Sequence, residues 1–197
     1  MYYEIITPPS NLPVSLDTVK MHLKLDSGTY EDTYLTSLIK AVASFGEKYT
    51  GREFLTKTSK LYLDSLPSGM EIEKSKLQTI DEIKYSFGGV FISLTSLDYS
   101  IIKDNLYSKI YLNNSVAVIS SDIPQGVQIT FKAGYGTAET NLPDDIKLAM
   151  LHHINKIYAS RGDSEENLGA MSSIISSNLP LEALQVYNLY KIEDISI

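Results

Sequence analysis

The residue types that could do chemistry in this 197-residue chain are few and scattered. There is no cysteine, so a metal would have to rest on carboxylates and three histidines, His22 and the adjacent pair His152-His153. Neighbours on a helix diverge by about 100°, so His152 and His153 cannot both face one ion, and neither has the glutamate spacing of a zincin. His153 reads instead as a core histidine with a hydrogen-bond partner. Asp144-Asp145 could act as paired carboxylates, but they directly follow Pro143, where acids serve the positive end of a helix. Gly134-Tyr135-Gly136 lacks the third glycine of a dinucleotide fingerprint, and the next helical run starts only after Asn141-Leu142-Pro143, so it reads as a turn. No Gly-x-x-x-x-Gly-Lys-Ser/Thr loop and no Gly-x-Ser-x-Gly elbow occurs. The expectation is a chain with no catalytic residues, no cofactor and no metal.

The elements that carry these residues are plainer. Leu35, Leu38, Ile39, Val42, Phe45 and Tyr49 recur at three- and four-residue steps and line one stripe of an amphipathic helix near 30–50. Thr29 with Asp32 is a variant capping box at its start, and Gly51 supplies the left-handed stop. Gly46 costs that helix about 1 kcal/mol relative to alanine, which implies a close neighbour that needs the space. Ser15 caps a shorter helix near 15–25, preceded by an extended arm that ends in Pro8-Pro9 and Pro13. A third helix near 143–161 presents Ile146, Met150, His153, Ile154 and Ile157, the natural cover for the stripe from Leu35 to Tyr49.

Between the second and third helices the period drops to two. Residues 54–63, 70–73, 79–87, 90–94, 99–102, 109–112, 115–119 and 127–131 read as short strands, with turns at Leu66-Pro67-Ser68-Gly69, Gly88-Gly89 and Asn113-Asn114. The fold expected is α+β: a small antiparallel helical bundle, with helices near 15–25, 30–50, 143–161 and 181–191, and an antiparallel β-rich insertion between the second and third. The organisation expected is an arm and two helices over 1–52, the β-rich insertion over 53–136, the third helix over 137–161, and a mobile segment with a terminal arm over 162–197. In that arm Leu181, Leu184, Tyr187 and Tyr190 step by three along one side, and Ile192 and Ile195 follow. An apolar arm behind a flexible joint suits docking on another chain.

Composition narrows the function classes. The formal charge is −7 and the basic residues are spread singly, which disfavours a duplex-DNA clamp built on phosphate neutralisation. Fourteen tyrosines without tryptophan suit both strand interiors and subunit interfaces. The start, Met1-Tyr2-Tyr3-Glu4-Ile5-Ile6, has neither the basic opening nor the apolar run of a signal peptide, and no stretch has the length of a membrane span. The expectation is a soluble protein made inside the cell.

Pro13-Val14-Ser15-Leu16-Asp17-Thr18-Val19-Lys20-Met21-His22-Leu23-Lys24-Leu25-Asp26 resembles the opening of the head-tail connector (adaptor, or head completion) proteins of tailed bacteriophages. The echoes continue in order through Leu38-Ile39, Glu47-Lys48-Tyr49-Thr50-Gly51-Arg52, Leu66-Pro67-Ser68-Gly69 and Phe131-Lys132-Ala133-Gly134-Tyr135-Gly136. They end with Leu142-Pro143-Asp144-Asp145-Ile146, Tyr158-Ala159-Ser160-Arg161 and Leu179-Pro180 with Leu184. The C-terminal helix lacks the family's basic finish, and the β region is matched only loosely. The resemblance implies a structural virion protein of the neck, assembled in the host cytoplasm as a homo-oligomeric, dodecameric ring. Such a ring docks on the portal protein after DNA packaging, extends the DNA channel without reading sequence, and receives the stopper or tail-completion protein on its far side. Leu181, Leu184, Tyr187, Tyr190, Ile192 and Ile195 would then meet the portal, and Asp163, Glu165 and Glu166 would be channel acids that keep DNA sliding. A stopper or tail-completion protein of the same neck is the alternative. A small ligand-binding or enzymatic domain in the β-rich region is a further one, whose mark would be a cleft with converging polar groups.

Overall fold

The computed structural model describes residues 2–72, 76–103, 108–113, 117–161 and 175–192. The chain is mixed α/β with antiparallel sheets, and it divides into two compact units. One holds residues 1–9 and 56–135, the other residues 10–55 and 136–197.

The first unit is built of strands. A five-stranded sheet has the order β1 (Tyr2–Thr7), β2 (Lys57–Leu63), β10 (Val127–Ala133), β5 (Leu77–Phe87), β6 (Val90–Ser93). Beside it, β3 (Ser65–Pro67) pairs with β9 (Val118–Ser120), and β8 (Ser108–Leu112) runs between β4 (Met70–Ile72) and β7 (Tyr99–Lys103). Alternation decides which face is inside. Leu61 and Leu63 of β2, Val127, Ile129 and Phe131 of β10 and Ile83 of β5 enter one core with Leu66, Ile72 and Ile110. Gly88 and Gly89, at φ 61° and 78°, make the tight turn between β5 and β6, as their sequence implies. The stretch read as an arm forms an edge strand, since Tyr2 to Ile5 pair with Tyr62 to Ser59. Asn113 does not open a hairpin: β8 pairs with β4 and β7, whereas β9 pairs with β3.

The second unit holds α1 (Leu16–Leu23), α2 (Asp32–Thr50), α3 (Asp144–Ala159) and α4 (Leu181–Tyr190). Ser15 caps α1 by accepting from the Thr18 amide at 3.2 Å. α2 starts differently from the expected capping box. Thr29 contributes only its carbonyl, which accepts from the Asp32 amide, while the Asp32 carboxylate is drawn away to an ion pair with Lys20. Gly51 closes α2 at φ 72°. Leu35, Leu38, Ile39 and Val42 are fully buried and α2 packs against α3, whose Ile146, Met150 and Ile154 are fully buried too. Each such side chain contributes about 1.5–3 kcal/mol. Phe54 and Leu55 continue this helical core and do not belong to a strand. Phe54 lies over Gly46, where a Cβ would meet its ring at 2.8 Å.

Candidate functional site

The residues singled out for chemistry each turn to a structural task. Asp144 pairs with Lys147 at 2.6 Å. Asp145 accepts from its neighbour's amide, Ile146, at 2.9 Å, and the Tyr190 hydroxyl donates to both of its oxygens at 2.9 and 2.8 Å. His153 is fully buried, with Nε2 2.8 Å from the Ile175 carbonyl. Because a carbonyl can only accept, that contact makes Nε2 a protonated nitrogen. Burial lowers the pKa of His153, against the opposing pull of the same carbonyl. His152 turns away and stacks on His22. At the Gly-Tyr-Gly turn, a Cβ on Gly136 would lie 2.4 Å from the Asn141 side chain, so the position excludes any larger residue. Among the described residues no three His, Asp or Glu side chains come together as a metal site.

The last helix carries the sharpest difference between pattern and structure. A step of three would put Leu181, Leu184, Tyr187 and Tyr190 on one face, but the buried residues are Ala183 and Tyr187, one helical turn apart. Tyr187 is fully buried, with ring contacts to Phe45 and Tyr49 of α2. Burial pushes its hydroxyl far above the tyrosine range, and that hydroxyl has no hydrogen-bond partner among the described residues. The helix is tied down along its length. Tyr49 donates to Asn188 at 2.7 Å, Arg52 Nε donates to the Tyr190 carbonyl, and the Ile192 amide reaches the Thr50 carbonyl at 2.9 Å. Leu184, Tyr190 and Ile192 are half-buried, Leu181 is 64% exposed, and Ile195 lies outside the described residues. Asp163, Glu165 and Glu166 also lie outside them. Leu189, which the three-residue step passed over, is 80% exposed.

A second cluster sits where α3 ends. Tyr158 donates to Glu31 at 2.5 Å, Arg161 Nη1 reaches the other Glu31 oxygen at 2.8 Å, and the guanidinium lies 3.9 Å from the Tyr158 ring centre. The Tyr158 hydrogen bond first, then Arg161, holds the Glu31 carboxyl below its ordinary range.

Several large apolar groups also remain outward. In the strand unit Phe87 and Val90 are both 64% exposed, and Phe91 and Ile92 complete a hairpin whose edge strand, β6, carries no charge, proline or bulge. Edge strands of isolated domains usually carry such protection. In the helical unit Tyr30 is 99% exposed at the turn into α2, and Met21 of α1 is also exposed. Exposed apolar groups of this kind suit contact with another surface. No described helix is long and apolar enough to cross a membrane.

No protein-family model and no curated protein matches the sequence. Solved structures do. The chain is similar to one in the neck of an empty GTA particle computed with C6 symmetry, at a TM-score of 0.77 and 18% identity over 99% of this chain and 97% of that one. It is similar to one in the virion of a native gene transfer agent (GTA) particle, at 0.76 and 18% over 99% and 97%. A third likeness is to a chain in the neck of a native GTA particle computed with C12 symmetry, at 0.73 and 16% over the same shares. At this identity the likeness establishes a shared fold from end to end.

Proposed function

We propose that this chain is a structural neck protein of a phage-like particle, an adaptor that forms a ring beneath the portal and prolongs the DNA channel. The observation that carries the reading is the end-to-end fold likeness to chains of particle necks computed with C6 and C12 symmetry, covering 99% of this chain. The connector resemblance in the sequence points the same way. In this reading the helices form an antiparallel bundle and the strand unit is an insertion carried by it. Rings need two unlike contact patches on each copy. The hairpin of Phe87, Val90, Phe91 and Ile92 and the apolar Tyr30 and Met21 supply candidates for them.

The portal contact is best assigned to the end of the chain. Because Tyr187 is spent on its own core, the docking set proposed is Leu181, Leu184, Tyr190, Ile192 and Ile195, to which the exposed Leu189 is added. A net charge of −7 suits a channel through which DNA slides without sticking, with Asp163, Glu165 and Glu166 proposed for its wall.

Mixing the purified protein with its portal and imaging by electron microscopy tests the proposal. The expected result is an added layer of twelvefold symmetry on the portal. Binding to preformed adaptor rings with none to the portal would move the chain one layer down, to the stopper position. Failure to bind either would end the neck reading.

A further inference from the structure

Two imidazoles meet across the seam between α1 and α3. His22 and His152 stack with ring centroids 5.8 Å apart and planes 25° from parallel. Face-to-face rings do not converge their nitrogens on one point, so the pair is not a chelate. It borders an open cleft of about 370 Å³ whose other charged walls are Lys156 of α3 and Glu182 of α4. α1 is also held by the fully buried Val19 and by polar contacts on either side of it. Its Ser15 amide donates to Glu139 at 3.0 Å, and Lys20 binds the Gly28 carbonyl at 2.8 Å and the Asp32 carboxylate.

We propose that the His22–His152 stack is an acid-sensitive latch that seats α1 on α3 at neutral pH and lets it loosen once both rings carry protons. Neutral imidazoles stack without penalty, whereas two imidazolium ions at this distance repel. Lys156 adds to the repulsion, and Glu182, at the edge of the cleft, offsets part of it. The direction is consistent with the depressed pKa of His22, caused first by burial and then by the His152 charge. A histidine with a lowered folded pKa contributes stability that is complete above its ordinary value of 6.5 and is lost as pH falls from there to the folded value. The latch is independent of the neck assignment, since it concerns one seam within the helical unit.

The test is amide hydrogen exchange of residues 16–23 in the full chain at pH 7.5 and pH 5.0, corrected for intrinsic rates. α1 is expected to lose about threefold or more of its protection relative to α3, the Boltzmann factor for two unit charges 5.8 Å apart in a water-like dielectric. The excess should vanish in His152→Gln and in His22→Gln. His153→Gln serves as control, because it removes the acid response of the buried core histidine and leaves the latch in place. In parallel, the His22 ring proton should titrate below an ordinary histidine and move upward in His152→Gln. Equal loss of protection in α1 and α3, or a His22 titration unchanged in His152→Gln, would overturn the proposal.

Discussion

Single atoms decide two outcomes in the helical core. Gly46 sits mid-helix, where alanine would normally gain about 1 kcal/mol. Here the added methyl would stand 2.8 Å from Phe54 and 3.3 Å from Tyr187, both fully buried. Overpacking of this kind costs about 1–3 kcal/mol, so Gly46→Ala is expected to lower the melting temperature despite its better helix propensity. Unchanged or raised thermal stability would show that Phe54 can step aside. Tyr187 gives the opposite sign. Its hydroxyl is buried without a partner among the described residues, and such a group costs about 1–3 kcal/mol. Tyr187→Phe should therefore hold or raise stability in urea, whereas Tyr187→Ala should lose roughly 3–5 kcal/mol. The gap above Gly46 was legible from the sequence as a glycine with no local excuse. The identity of its filler was not, because Phe54 reads as the start of a strand and Tyr187 is far from it in the chain.

Among the elements, strong periodicity was readable and weak periodicity was not. α2 and α3 follow a 3.6-residue period, with Leu35, Leu38, Ile39 and Val42 buried and Phe45 and Tyr49 half-buried on α2, and both lie within one or two residues of the expected bounds. Residues 54–56 continue the alternation of β2 by chance, and burial of Phe54 on α2 overrides it. β1 carries no sequence mark beyond its apolar residues, since pairing with β2 is a tertiary fact that Pro8-Pro9 conceal. In α4 a strict step of three drifts around the helix by about 60° each time, and the pair Ala183 and Tyr187 would have revealed the true inner face. That error bears on function, because α4 is a working part of the core. Deleting residues 179–197 should strip Ala183 and Tyr187 from it and cause cooperative loss of helical signal at lower temperature than in the full chain. Circular dichroism on the truncated protein checks this, and an unshifted transition would restore the picture of a free arm.

At the scale of the whole molecule, the helical unit is assembled from two stretches of chain, 10–55 and 136–197, with the strand unit's 56–135 intervening. A fragment ending at Tyr135 keeps α1 and α2 but lacks α3 and α4, the helices that complete the cover of α2 and its Leu35, Leu38, Ile39 and Val42. It should bind a hydrophobic dye and self-associate, and adding a 136–197 fragment should restore the helical signal and suppress the dye response. A soluble, dye-silent 1–135 fragment would show that α2 buries its stripe without α3. The same layout governs birth on the ribosome. Synthesis runs at about 5–20 residues per second, so roughly 5 to 20 seconds separate the emergence of Thr50 from that of Ala159. Throughout that interval the nascent chain carries an oily rod whose main mates, α3 and α4, are not yet made. Timely shielding by a cellular chaperone, more than any feature of the finished protein, would then set how much of it survives to be used.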